Sequence, residues 1–516
     1  MNLGRFSDYW ARFRADSPAL QHKGVVMTWA QLDRAADTVA ASLIRLGVMP
    51  GDRVGCMLPN SMEWAITLIA TLKAGAIIVP LNTRYGEHEL RQIAAQVSVK
   101  LVVTLPSLIG KLGAEQADLQ SDCDEVSLYT VDRPGVPPMR WKQAVASFTG
   151  PVLTSVASDD AAALCFTSGS TGLPKGVVLT HQNIQTFALG QITALEWTSD
   201  ERVLMLAPFA FTGGVISVFM PAYIVGGCIY IEEGLDAERA LHLFVTEGIT
   251  CLAGVPVLFE RIAACKGFAD ADIRKLRTSM IGGAPVPEAL LQTWLTKGVL
   301  LRQVYGCSEG CGLIAVPNAD VARRKPWSCG WPLQSIDLKL CRDDGTACAP
   351  NEAGEIQIRG QQVMQGYWQN DDANRSAWND GWFQTGDMGI VDDEGHLQVV
   401  DRKKNMLISG GVNVYPAEVE RAMGELLGLS EVLVFGRPDE RWGERVVAAV
   451  HGPATLDPET LLKESRRLLG DYKAPREIIL SPKPLPRTTT GKLPRHDLDA
   501  LYRSLHDCPR AIAGGK

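Results

Sequence analysis

Thr167-Ser168-Gly169-Ser170-Thr171-Gly172-Leu173-Pro174-Lys175-Gly176-Val177 packs hydroxyls, glycines and one lysine into eleven consecutive positions. Each residue type has a use at an anion. Glycine lets the backbone turn so that N–H groups converge, hydroxyls add neutral donors, and lysine supplies a point charge. The string reads as a cradle for a polyphosphate. It is not a Walker loop, because Pro174 sits where that motif needs the glycine before lysine, and Gly176 replaces the following Ser/Thr. Val177-Val178-Leu179-Thr180 behind the loop is β-prone, and residues 161–167 before it read as a strand. The loop is therefore expected to join two strands and to bind without a helix dipole.

Outward from the loop the pattern is α/β. Thr28 and Gln31 form a capping box, and Leu32, Ala36, Val39, Leu43 and Leu46 recur at three- and four-residue steps until Gly47 closes the helix. A run over 53–58, a helical stretch ending near Gly75, an apolar run over 76–80, a further helical stretch and a run over 100–104 follow. Strand-helix-strand repetition predicts parallel α/β layers. The Pro-rich stretch 132–138 reads as a surface loop, and 395–401 as a strand that ends at the charged triplet Arg402-Lys403-Lys404. A fresh block of helices and strands begins there. The expected organisation is a large N-terminal domain of layered α/β subdomains over 1–402 and a small, mobile α+β C-terminal domain over 403–516.

Composition excludes several classes of function. The 516 residues are enough for about three domain-sized units. With 46% hydrophobic and 21% charged residues, no stretch reaches the ~20 uninterrupted apolar positions needed to cross a bilayer. The first residues lack the basic patch and apolar run of a secretory signal, which makes the cytoplasm the default expectation. Twelve cysteines form no Cys-x-x-Cys unit, and Cys307 with Cys311 lacks a neighbouring histidine, so reduced and mostly buried thiols are expected rather than a metal site. A net charge of −7 opposes nucleic-acid binding. Self-association is left open.

Further segments carry chemistry. In Tyr305-Gly306-Cys307-Ser308-Glu309 a carboxylate is available for a hard cation, and an aromatic ring can lie against a nucleobase. The overlapping Gly306-Cys307-Ser308-Glu309-Gly310 also fits the Gly-x-Ser-x-Gly elbow of a serine hydrolase with Ser308 as nucleophile, although Gly310, Gly312 and Pro317 crowd the place where its helix would run. Thr385-Gly386-Asp387 offers a carboxylate suited to a vicinal diol. The long segment from Asp401 through Ser409-Gly410-Gly411 to Glu418 combines charge with a glycine loop, and Pro486-Arg487-Thr488-Thr489-Thr490-Gly491-Lys492-Leu493 presents a lysine near the end of the chain.

Together these segments, in this order, resemble the adenylate-forming superfamily of acyl-CoA synthetases, luciferases and peptide-synthetase adenylation domains, in its acyl- or aryl-CoA ligase branch. The resemblance implies MgATP-dependent formation of an acyl-adenylate and transfer of the acyl group to coenzyme A. It implies that Thr167, Ser168, Gly169, Ser170, Thr171, Gly172 and Lys175 hold phosphates, and that Tyr305, Gly306 and Ser308 border the nucleotide. Glu309 is then the Mg²⁺ ligand, Asp387 accepts the ribose hydroxyls, and Arg402 contacts ribose and phosphate. Lys492 becomes the adenylation lysine, Lys404 the hinge, and Ser409, Gly410 and Gly411 the edge of the thiol tunnel.

Arg441-Trp442-Gly443-Glu444 and Tyr472-Lys473-Ala474-Pro475-Arg476 resemble segments of CoA ligases, which puts Trp442 or Tyr472 on the CoA adenine and Arg476 on its phosphate. Loading of a carrier protein is the alternative outcome of the same adenylation chemistry. The expected acyl walls are Phe211, Thr212 and Gly213, then Val255, then Gly282, Gly283 and Ala284. Phe211 stands where many relatives have histidine, the segment lacks the aspartate that binds an amino acid's ammonium group, and the walls are small and apolar. An apolar monocarboxylate, whether medium-chain, alicyclic or aromatic, is the expected acid.

Overall fold

The hairpin that carries the phosphate loop is the outer part of a sheet assembled from the first half of the chain. In the computed structural model, the structure describes residues 1–113, 125–131, 137–146, 150–167, 174–284, 286–409, 412–424, 426, 429–439, 441–453, 455–487, 498–506 and 511–513. Helix α1 (Trp29–Arg45) begins at the expected capping box, in which Thr28 and Gln31 bond reciprocally. It buries Leu32, Ala36, Val39 and Leu43, and Gly47 beyond it has φ +89°. Strand β1 (Arg53–Met57) follows, then helix α2 (Met62–Lys73), strand β2 (Ile77–Pro80) and strand β3 (Leu101–Thr104). Both β2 and β3 pair in parallel with β1, as the strand-helix-strand pattern requires.

Strand β4 (Ala161–Thr167) adds to β2 in parallel, and β5 (Lys175–Thr180) turns back antiparallel to β4 with Thr167 opposite Lys175. The loop thus connects two strands, although residues 168–173 themselves lie outside the described residues. Thr180 ends β5 and at once caps helix α3 (His181–Leu195) through a second capping box with Asn183.

A second sheet carries four parallel neighbours, β6 (Arg202–Met205), β7 (Cys251–Gly254), β8 (Thr278–Gly282) and β9 (Leu301–Cys307), and continues into an antiparallel strand, β10 (Gly312–Val316). A short strand, β11 (Gly366–Tyr367), then crosses back to pair with β5 of the first sheet. A smaller antiparallel sheet follows, containing β12 (Trp382–Val391) and β13 (Leu397–Arg402). The strand expected from 395 starts two residues later, because Gly395 sits at φ +81° in the turn before it.

One apolar core is shared by the two large sheets, with Val54, Ile78 and Leu179 on one side and Val203, Met280 and Leu313 on the other. From Leu407 onward the chain packs into separate cores of its own, Leu407, Val419, Val446 and Ile478 in one and Leu433, Phe435 and Ile479 in the other. The turn Lys403–Asn405 lies between the shared core and these later ones. Among the described residues no helix is long and apolar enough to cross a membrane.

The first turn of α3 holds a titratable group in the core. His181 is 1% exposed, and its Nδ1 accepts a hydrogen bond of 3.2 Å from the Leu3 N–H. That bond requires a neutral ring. Burial, together with the nearby chain amino group, pushes the imidazole down from 6.5 to about 4. In the unfolded chain His181 takes up a proton near pH 6.5 that the folded chain refuses until about pH 4, so stability falls as pH drops through that window, by about 3 kcal/mol. His181→Gln keeps an acceptor but does not titrate. Its denaturant midpoint is expected to change less between pH 7 and pH 4.5 than that of the unaltered protein.

Candidate active site

Separate pieces of chain converge on a cavity of about 400 Å³. The β4–β5 hairpin contributes Thr167 and Lys175. The end of β9 contributes Cys307 and Glu309, and the third sheet with the turn after it contributes Gly386, Arg402, Lys403 and Lys404. Phosphate-binding residue types, a carboxylate and a group of cations thus meet although 134 positions separate Lys175 from Glu309 and 93 separate Glu309 from Arg402.

Asp387 beside the cavity is buried, 4% exposed. Its Oδ2 accepts from the Tyr305 hydroxyl at 2.7 Å, and its Oδ1 pairs with Arg402 Nε at 2.5 Å. The register of the sheet sets Asp387 of β12 opposite Arg402 of β13, so the pairing follows from strand geometry. Burial pushes the Tyr305 phenol well up, and the Asp387 charge beside it adds to the effect. The phenol is therefore a donor to Asp387, and its ring is only 6% exposed.

Strand β9 delivers Ser308 and Glu309 to a turn. The Ser308 and Thr212 hydroxyls lie 2.7 Å apart in a hydrogen bond. Cys311 at φ +61° and Gly312 at φ +105° reverse the chain directly into β10. No helix follows Ser308, so the strand-turn-helix elbow of a hydrolase is absent and that reading of Ser308 is corrected. Glu309 Oε1 instead accepts from the Tyr367 hydroxyl at 2.9 Å, and the Glu309 carbonyl accepts from the Met364 N–H at 2.8 Å.

The expected acyl walls follow the carboxyl ends of β6, β7 and β8, the edge at which open α/β sheets bind ligands. Phe211, half-buried, and Thr212, buried, lie after β6, and Gly213 opens a π-helix over Gly213–Phe219. Val255 precedes helix α4 (Pro256–Ala263) at the end of β7. Gly282 ends β8, where a Cβ would come within 2.7 Å of the Val304 carbonyl oxygen. Gly283 follows at φ +78°, with half-buried Ala284 after it.

Lys404 lies on the cavity in the turn Lys403–Asn405, while Lys403 is held by Asp343 and Glu355 at 2.8 and 3.0 Å. Ser409 is 1% exposed. Trp442 and Arg476 are brought together, the guanidinium 4.2 Å from the ring centroid, with Arg441 at 5.4 Å. A base stacking on the face that Arg476 covers would have to displace it. Ser168, Gly169, Ser170, Thr171, Gly172, Gly410, Gly411, Lys492 and the Tyr472 side chain lie outside the described residues.

Two residues at this site carry no motif in the sequence. Tyr367 lines the cavity, and Gln362, 0% exposed, donates through Nε2 to the carbonyls of Gly310 and Leu313 at 2.9 and 2.8 Å. The only sequence signal for Tyr367 is a short Gly-Tyr-Trp string, whose partner strand lies almost two hundred residues away. The Tyr305–Asp387 bond has a direct test. Tyr305→Phe removes a donor from a buried carboxylate and is expected to cost about 1.5–3 kcal/mol of stability in denaturant unfolding.

Comparison with known proteins places this geometry. The family model of the AMP-binding enzyme matches residues 6–368, and that of the AMP-binding enzyme C-terminal domain matches 418–492. A feruloyl-CoA synthase from an Amycolatopsis species is 35% identical over 497 residues, covering 95% of this chain and 97% of the relative. An indoleacetate–CoA ligase from Aromatoleum aromaticum is 34% identical, covering 97% and 98%. The o-succinylbenzoate CoA synthetase of Bacillus subtilis, solved with ATP and magnesium, superposes with a TM-score of 0.83 at 26% identity, covering 96% of this chain and 99% of that one. The chain belongs to the AMP-binding enzyme family and, within it, groups with the acid–CoA ligases.

Proposed function

We propose that the cavity joins an apolar monocarboxylic acid to AMP and then releases it as the CoA thioester. The observation that carries this reading is the convergence of Thr167 and Lys175, Glu309, and Arg402 with Asp387 paired behind it on one cavity, beside small apolar walls at the neighbouring strand ends. In this reading the hairpin holds the phosphates of ATP. Asp387, aimed by Tyr305 and Arg402, accepts the ribose hydroxyls, and Arg402 keeps its remaining donors for the phosphate side.

Glu309 is a single carboxylate facing a hydroxyl-bearing hairpin, and among the described residues no group of three or more His, Cys, Asp or Glu could cage a metal. Such a donor set fits Mg²⁺, which takes one or two carboxylates and completes its shell with phosphate and water. When bound, the ion neutralises charge on the departing pyrophosphate. The chain's own part in the first step is electrostatic: Lys175 and Lys492 meet the charge that builds as the acid's oxygen attacks the α-phosphorus. In the second step the sulfur of CoA displaces AMP at the acyl carbon.

We place the domain boundary at 402/403 with Lys404 as the hinge, a reading supported by the separate cores that begin at Leu407. Rotation there would withdraw Lys492 and bring the 409–411 loop to the site. CoA is preferred over a carrier protein because the relatives are named as CoA ligases, and Trp442 with Arg476 offers an aromatic and a cation for its nucleotide. The acid is apolar because Phe211 replaces a polar ring, no aspartate is present for an ammonium group, and the walls are Val255, Gly282, Gly283 and Ala284. The aromatic acids named for the relatives favour the aromatic end of that range. Cytoplasmic residence is part of the proposal, supported by ten free cysteines among the described residues.

A hydroxylamine-trapping screen of aromatic, alicyclic and medium-chain acids with MgATP tests the reading. Hydroxamate should form with at least one apolar acid and not with amino acids, and the opposite preference would overturn the assignment of the acid. Lys492→Ala separates the two steps. It should abolish acid-dependent pyrophosphate release while still converting supplied acyl-AMP to thioester, and equal loss of both would refute the division of labour.

A further inference from the structure

We propose that Tyr367 is a positioning residue that fixes the phosphate-side lysine and the metal-side carboxylate relative to each other. The proposal rests on the reading of Lys175 as a phosphate contact and Glu309 as the magnesium ligand, and goes beyond it by naming what sets both. The Tyr367 hydroxyl donates to Glu309 Oε1 at 2.9 Å, and the Lys175 ammonium sits 5.0 Å from the centroid of the same ring. Lys175, Glu309 and Tyr367 all line the cavity.

The backbone that carries the ring is secured on both sides. Tyr367 stands opposite Val177 in the β11–β5 pair, and the Trp368 N–H donates to the Gly176 carbonyl at 2.8 Å. Helix α5 (Asp371–Ala377) supplies Asn374, whose amide accepts from the Tyr367 N–H at 2.7 Å and donates to its carbonyl at 3.0 Å. Gly366 allows that clamp: it has φ +152°, and a Cβ there would lie 2.9 Å from Asn374 Oδ1. Three residues upstream of Tyr367, the Met364 N–H holds the Glu309 carbonyl.

The chemistry of the two contacts differs in a useful way. Donation to Oε1 fixes the Glu309 carboxylate while leaving Oε2 for a cation, the arrangement by which outer partners orient a metal ligand. A ring face orients an ammonium without cancelling its charge, whereas a carboxylate at that place would neutralise it. Among the described residues no ion pair joins Lys175 to an acid. One ring thus contacts two opposite charges, the carboxylate through its hydroxyl and the ammonium over its face.

The test compares full-length Tyr367→Phe, Tyr367→Leu and Glu309→Gln in pyrophosphate release, titrating free Mg²⁺ at saturating ATP and acid. Tyr367→Phe keeps the ring and the packing, and should raise the Mg²⁺ needed for half-maximal rate by about tenfold with the KM for the acid unchanged. Tyr367→Leu should show the same shift and, at saturating Mg²⁺, a further loss of about three- to thirtyfold in kcat from the unanchored lysine. A normal Mg²⁺ titration for Tyr367→Phe, or a uniform fall in kcat without a change in Mg²⁺ dependence, would overturn the positioning role if Glu309→Gln still shifts the titration. An unshifted titration for Glu309→Gln would instead overturn the reading of the site on which the proposal stands. If Tyr367→Leu fails to fold, Tyr367→Phe alone decides.

Discussion

Buried backbone carbonyls that have lost water need donors, and in this protein two side-chain amides supply them where the two large sheets meet. Gln362 spends both protons of its amide on Gly310 and Leu313, and Asn183 spends both of its own on Gln361 and Val363. Asn183 also closes the capping box of the helix after the phosphate hairpin. One short stretch, 361–368, is thereby stitched to the β9–β10 turn on one side and to the first turn of α3 on the other, and its end pairs with β5. An amide left without its partner in such a place costs more than the bond itself contributes, so the arrangement tolerates little slippage. The hairpin with Lys175 and the turn with Glu309 are held at a fixed separation by this stretch.

Charge at the site is arranged with the same economy. The chain as a whole is acidic, with a net charge of −7, yet Lys175, Arg402, Lys403 and Lys404 line one cavity. Local field, not net charge, is what a polyphosphate meets. Asp387 can remain charged at 4% exposure because a phenol and a guanidinium both reach it, which is the condition under which a buried charge is stable.

Near its start the C-terminal block is tied to the preceding strand through Asp401. Asp401 accepts from Arg402 N–H and Asn405 Nδ2 with one oxygen and from the Ala417 N–H with the other. These bonds bracket Lys404. The cores that begin at Leu407 give the block internal packing of its own.

Local chemistry determined much of this protein from the sequence alone. The capping box at Thr28, the strand at 161–167 and the hairpin around the loop depend on neighbours within a few positions, so residue order sufficed. Five ordered segments likewise sufficed for the family. The tertiary structure decided what depends on distant partners. It paired Tyr305 with Asp387 and Arg402, turned the Gly-x-Ser-x-Gly string at Ser308 back as a hairpin, and covered Trp442 with a guanidinium. It also brought Tyr367 between Lys175 and Glu309. No spacing rule announces such a residue, because a two-residue strand has no periodicity and its register is set by a partner almost two hundred positions away.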